Sequence, residues 1–147
     1  MRARSGYTVM ELIIVMSLIG LVAAFILPSM GRTLAQVRLQ RAAAMVASNV
    51  QLAQSLASRQ RRPVRLSVDA AQKVIRVRDY TNPATVYAEQ RFDGTAENAV
   101  GRLEVTDTDI VIYPSGLYAE PFAFTLTTAD KRRVIRVSRA GQIRIEQ

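Results

Sequence analysis

From Leu12 to Leu27 nearly every position is apolar, and no charge falls between Glu11 and Arg32. That gap holds 20 residues, long enough for a helix to cross a hydrocarbon core of about 30 Å. Beyond Pro28 the pattern changes but does not end. Ala42, Met45, Val46, Asn49, Leu52, Ala53 and Leu56 recur at three- and four-residue steps, while Arg38, Arg41, Gln51, Gln54 and Ser58 mostly take other faces. The spacing predicts one helix from about Val9 to about Ser58, roughly 75 Å long at 1.5 Å per residue. Pro28 should bend it, because proline removes a helical hydrogen bond and clashes with the preceding turn. The helix should stop at Arg59-Gln60-Arg61-Arg62-Pro63. There Pro63 forbids continuation, and the arginines suit the negative C-terminal end.

Past Pro63 the period falls to two. Val64, Leu66 and Val68 alternate with Arg65 and Ser67, and further strands are predicted over Lys73–Arg78, Val86–Phe92, Leu103–Thr106, Asp109–Tyr113, Phe122–Thr127, Arg133–Ser138 and Gln142–Ile145. Turn residues separate them at Asp69–Gln72, Asn82-Pro83, Asp93-Gly94, Pro114-Ser115-Gly116, Ala129-Asp130-Lys131 and Ala140-Gly141. Val-Ile-Arg-Val occurs at 74–77 and again at 134–137. With nothing periodic between the two copies, they read as two similar hairpin strands, not as a solenoid repeat. The expected fold class is α+β, one long helix packed on an antiparallel β domain.

Composition narrows the chemistry. The 147 residues fit one domain plus an anchor. There is no Cys and no His, which removes disulfides, thiol nucleophiles, Ser-His-Asp triads and the usual zinc ligands. No metal and no cofactor is expected. Glu104, Asp107 and Asp109 lie in a turn-like run, where surface carboxylates at strand ends are the usual explanation and no partner base is in evidence. The chain is therefore not read as an enzyme. A net charge of +8 favours anionic partners, DNA or phospholipid, with a merely solvated Arg-rich surface as the alternative.

At the N-terminus Arg2 and Arg4 precede the apolar run, so that end should stay cytoplasmic and the remainder lie outside the cytoplasm. No Ala-x-Ala site closes the run as a secretory signal would require. A plain signal anchor leaves Glu11 unexplained, an acid at the edge of a membrane segment, where charge is costly and marks function. Gly6-Tyr7-Thr8-Val9-Met10-Glu11-Leu12 resembles the prepilin cleavage and N-methylation motif of type IV pilin-like proteins. The resemblance implies cutting between Gly6 and Tyr7 by a prepilin peptidase and methylation of the new Tyr7 amine. It also places Glu11 fifth and Pro28 twenty-second in the mature chain, where the family has its glutamate and its kinking proline. Tyr7 stands where Phe is more usual, and Met10 where Ile is. Cleavage would create a cation at Tyr7, and a carboxylate in low dielectric seeks one. A neighbouring subunit's Tyr7 amine could then pair with Glu11 during assembly. On this reading 1–6 is a leader, 7–31 the transmembrane half of the helix, 32–62 its amphipathic half, and 63–147 the globular β domain.

The second half resembles the minor pseudopilin family GspH/FimT. The carriers are the basic run before Pro63-Val64, Ile110-Val-Ile-Tyr-Pro-Ser-Gly116, and Val137-Ser138-Arg139-Ala140-Gly141-Gln142-Ile143. Tyr113, Gly116 and Gly141 are most simply a strand aromatic and turn glycines. The resemblance implies a minor pseudopilin of a type II secretion system, held in the inner membrane with its globular domain periplasmic. Other pilins or pseudopilins and secreted cargo proteins would be its partners. The alternative is a FimT-like minor type IV pilin that binds DNA during uptake. Lys131, Arg132, Arg133, Arg136, Arg139 and Arg144 would supply phosphate contacts. Against it, DNA-binding members tend to end in Gly-Arg-x-Arg, and here Gln142 replaces the first arginine. Stacking aromatics are also missing from that stretch. A solvated basic edge that discourages strand pairing accounts for the same residues.

Overall fold

The computed structural model describes residues 8–93, 98–129 and 131–146, except the side chains of 25–32. The chain divides into two compact units, Met1–Leu34 and Ala35–Gln147. One helix, α1 (Val9–Gln60), contributes to both. Arg61 ends it in the left-handed region at φ 52°, a turn-off more often made by glycine, and Pro63 follows. The predicted bounds of α1 hold to within two residues. α1 runs unbroken through Pro28, where a bend was expected, and the Pro28 side chain lies outside the described residues.

Among the described residues eight strands follow: β1 (Val64–Asp69), β2 (Val74–Asp79), β3 (Val86–Arg91), β4 (Arg102–Val105), β5 (Asp109–Ile112), β6 (Phe122–Thr128), β7 (Lys131–Val137) and β8 (Ile143–Glu146). They form two antiparallel four-stranded sheets, ordered β3-β2-β1-β5 and β4-β6-β7-β8. All eight predicted strands exist, and the α+β class is the one observed. The Val-Ile-Arg-Val copies do sit alike. Each is the second strand of a hairpin, β1–β2 or β6–β7, with Ile75 and Val77, or Ile135 and Val137, buried and the arginine between them turned outward.

Strand alternation follows from the pleat, which sends successive side chains to opposite faces. In β1, Val64, Leu66 and Val68 point inward; in β6, Phe122, Phe124 and Leu126 do. These inner faces share one core with Leu39, Ala42, Ala43, Val46, Val50, Ala53 and Ala57 of α1. Four of those seven helical positions are alanine, which lets strands approach the helix backbone closely.

The buried helical stripe is not quite the expected one. Ala42, Val46, Asn49 and Ala53 are buried as predicted and Leu56 is partly so, but Met45 and Leu52 are exposed, at 37% and 38%. Ala43, Val50 and Ala57 face the core in their place. Buried Asn49 is satisfied locally, its amide donating to the Met45 carbonyl at 2.9 Å.

Candidate functional site

The first turn of α1 is capped by Thr8. Its hydroxyl accepts the Glu11 backbone N–H at 3.2 Å, and its carbonyl accepts that of Leu12 at 3.2 Å. Thr8-Val9-Met10-Glu11 is thus a Thr-x-x-Glu helix start. The sequence reading missed Thr8, although the spacing was there to be seen. Glu11 also lies at the positive end of the helix dipole. Every Val, Leu, Ile and Met from Val9 to Val22 is exposed, by 47–78%, a continuous apolar surface of the kind that meets membrane or protein. Among the described residues, no helix is long and apolar enough to cross a membrane. Arg2, Arg4, Gly6 and Tyr7 lie outside the described residues, as does the side chain of Pro28.

In the second unit, the stretches that carry the pseudopilin resemblance come together. Gln54 of α1 donates its amide to the Gly141 carbonyl at 3.1 Å, and Ser58 donates to the Pro114 carbonyl at 3.2 Å. Gly116 and Gly141 each close a turn in the left-handed region, at φ 75° and 77°. The Tyr118 N–H donates to the Arg139 carbonyl at 3.0 Å and so stitches one turn to the other. Tyr118 packs edge-on against Phe122 at 5.0 Å. Burial pushes its hydroxyl up to about 12, with Gln54 near enough to oppose part of that rise. Among the described residues, the hydroxyl makes no hydrogen bond in good geometry. These motifs therefore fasten the last turns of α1 to both sheets, the structural role expected of Gly116 and Gly141.

At the far end of β2, the Asp79 carboxylate accepts the backbone N–H groups of Asn82 and Thr81 and the Tyr87 hydroxyl. Asn82 first, then Tyr87 and Thr81, hold its pKa below the ordinary 3.8. Glu89, on β3, is lowered too, first by the Arg76 guanidinium at 2.8 Å and then by Arg91. A carboxylate depressed in the folded state contributes stability above its unfolded pKa and loses it as pH falls through the folded one. Urea midpoints should therefore drop between about pH 5 and pH 2. Asp79→Asn should flatten that slope while lowering the midpoint at neutral pH; an unchanged slope would refute the assignment.

The six basic residues of the C-terminal stretch do not form one single patch. Arg132 and Arg136 stand on the outer face of the second sheet, opposite Thr127 and Ala123, and Arg144 pairs across from Arg136. Arg136 is bound to Glu146 at 3.3 Å. Arg133 stands opposite buried Leu126 on the other face, and with Lys131 and Arg132 lines a recess beside Gln36 and Leu39 of α1. Arg139 sits in the β7–β8 turn. Arg144 is on β8, an edge strand, where a charge blunts pairing with other chains. Of the three acids weighed for catalysis, Glu104 pairs with Arg102 at 2.9 Å and Asp109 with Arg65 at 3.1 Å. Asp107 accepts the Asp109 N–H at 3.0 Å. Among the described residues, no three or more acidic side chains are grouped as metal ligands.

Several solved structures resemble this fold. The type IV minor pilin FimU of Pseudomonas aeruginosa is 20% identical, with a TM-score of 0.61 over 74% of this chain and 88% of its own. The minor pseudopilin EpsH of the Vibrio cholerae type 2 secretion system is 12% identical, with a TM-score of 0.56 over 74% of this chain and 96% of its own. At these identities the likeness is one of fold, and the fold is that of pilins. No curated protein matches the chain in sequence. Residues 42–141, from the buried face of α1 through both sheets to the glycine of the last turn, match the model of the type II transport protein GspH, and the chain belongs to that family.

Proposed function

We propose that the chain is a minor pseudopilin, a structural subunit of the periplasmic pseudopilus of a type II secretion system. The observation that carries this reading is the division of labour along α1. Its second half gives Leu39 to Ala57 to the core, whereas in its first half the apolar side chains from Val9 to Val22 stay exposed among the described residues. A helix surface of that kind is a docking surface for lipid before assembly and for other pilin-like helices afterwards. Preferring a secretion pseudopilus to a type IV pilus rests on the family match. No chemistry is required of the chain beyond being cut at Gly6 and methylated at Tyr7 by a prepilin peptidase. Before assembly it would sit in the inner membrane, N-terminus cytoplasmic, with the β domain in the periplasm. Its partners would be other pseudopilins and, at the exposed surface, secreted cargo.

Processing tests the reading. Removal of the first six of 147 residues leaves 141. Mass spectrometry of the membrane-extracted protein should find that chain with a methylated Tyr7, and Gly6→Ala should leave it uncut. An intact Met1 in cells that hold the peptidase sinks the proposal.

A further inference from the structure

The outer face of the first sheet carries exposed aromatic and aliphatic side chains beside arginines at one end. Beyond the Val64–Asp79 and Val64–Ile112 pairs, the next positions are Pro63 just before β1, Tyr80 after β2 and Tyr113 after β5. Leu117 comes back beside Tyr113, whose N–H donates to the Leu117 carbonyl. One step inward, Arg65 stands opposite Arg78, and Val86 stands opposite Arg78 on the other side. Tyr80, Val86, Tyr113 and Leu117 are exposed by 42–53%, and the register sets them in a band that runs across the Pro63 end of this sheet, from Val86 on the β3 edge to Leu117 beyond β5. The Arg65 guanidinium lies 5.2 Å from the centre of the Tyr80 ring.

Two facts say what should cover this patch. Arg65 and Arg78 are like charges directly opposed across a ladder, an arrangement that weakens a sheet. Their Nε atoms are both buried and meet no acceptor among the described residues. Exposed Arg61 and Arg62 add charge at the same end. Aromatic side chains and arginine around an apolar centre are the make-up of protein interfaces. The cations, on a chain of net charge +8, weigh against a second copy as the occupant and call for carboxylates. A nucleic acid suits the patch less well, since Val86, Leu117 and Pro63 offer a phosphate backbone nothing and Asp109 already holds Arg65. The geometry points to a docking surface here for a different protein, one that presents an acidic rim around an apolar centre. The inference does not depend on which filament, if any, takes the chain.

Photo-cross-linking in the cell of origin tests it on the full chain. Benzoylphenylalanine is placed at Tyr80 or Tyr113, and at Thr125 on the outer face of the second sheet as the control. The first two should each join the same protein, distinct from this chain, through an acidic segment that mass spectrometry identifies. Arg78→Glu should cut the yield by about tenfold or more, and Glu→Arg at the joined segment should restore it. The same Arg78→Glu places a carboxylate opposite Arg65 and should raise the thermal midpoint, an outcome that sets loss of docking apart from loss of fold. If Arg78→Glu unfolds the chain instead, Tyr113→Ser must lower the yield at position 80. Absence of an adduct, an adduct with a second copy or with nucleic acid, an equal adduct at Thr125, or a yield indifferent to these variants overturns the inference. A chain that is processed and assembled yet gives no adduct leaves the filament reading standing, and an adduct from an uncut chain does the reverse.

Discussion

Gly141→Val should lose several kcal/mol of stability, and Gly116→Ala much less, although the two glycines have nearly the same backbone. Gly141 sits at φ 77° and Gly116 at φ 75°, so any L side chain costs about 1–2 kcal/mol at either. The surroundings differ. A Cβ at Gly116 meets nothing within 4 Å, whereas one at Gly141 would stand 2.7 Å from the Gln54 amide nitrogen and 3.0 Å from the Gly116 carbonyl oxygen. Gln54 could swing away, but only by giving up its hydrogen bond to the Gly141 carbonyl. The Gly116 carbonyl is main chain and has little room to yield. Overpacking adds about 1–3 kcal/mol, and a branched side chain worsens the strain. Urea denaturation of the full chain in a mild detergent, followed by near-ultraviolet circular dichroism, reads the difference. Equal losses for the two variants would mean that the junction of α1 with the two turns is not tightly packed.

Glu11→Ala should still be inserted and cut but should fail to enter filaments. In the proposed subunit, the carboxylate pairs with the Tyr7 amine of a neighbour in low dielectric. Removing one partner of such a pair costs about 3–5 kcal/mol, mostly from the charge left behind. The structure adds a competing explanation, because Glu11 also occupies the third position of the Thr8-capped turn. Glu11→Gln separates the two. It keeps the length and hydrogen-bonding capacity that a capping box uses but has no charge. Pairing predicts that Gln fails as Ala does; capping predicts that Gln assembles like the wild type. Pull-down of sheared filaments with quantitative immunoblotting decides, and full assembly of Glu11→Gln would remove the charge-pairing argument.

What could be read without coordinates was whatever depends on near neighbours in the chain. The reach of α1, its end before Pro63, the eight strands and the glycine turns all follow from local periodicity and from residues that permit or forbid a dihedral angle. The prepilin-like start is also a local pattern, although the role of Thr8 within it went unread. Pairing between distant segments was not accessible in this way. β4 and β5 are adjacent in sequence yet join different sheets, because each takes the edge that an earlier or later hairpin leaves open. The buried face of α1 was misjudged at Met45 and Leu52, since alanine carries too little hydrophobicity to announce which side faces the core. Only the close approach of two sheets favours Ala43, Val50 and Ala57 there. The scatter of the C-terminal arginines was likewise a tertiary matter. Six cations near one another in sequence were divided by the pleat and a turn among two faces and a loop, with Glu146 folded back onto Arg136. In the first sheet the reverse happened. Residues from Pro63 to Leu117, unremarked as a group along the chain, were gathered by antiparallel register into one aromatic and basic face. Residue type and spacing determine which elements form, and the burial of one shared core decides which residues those elements bring together.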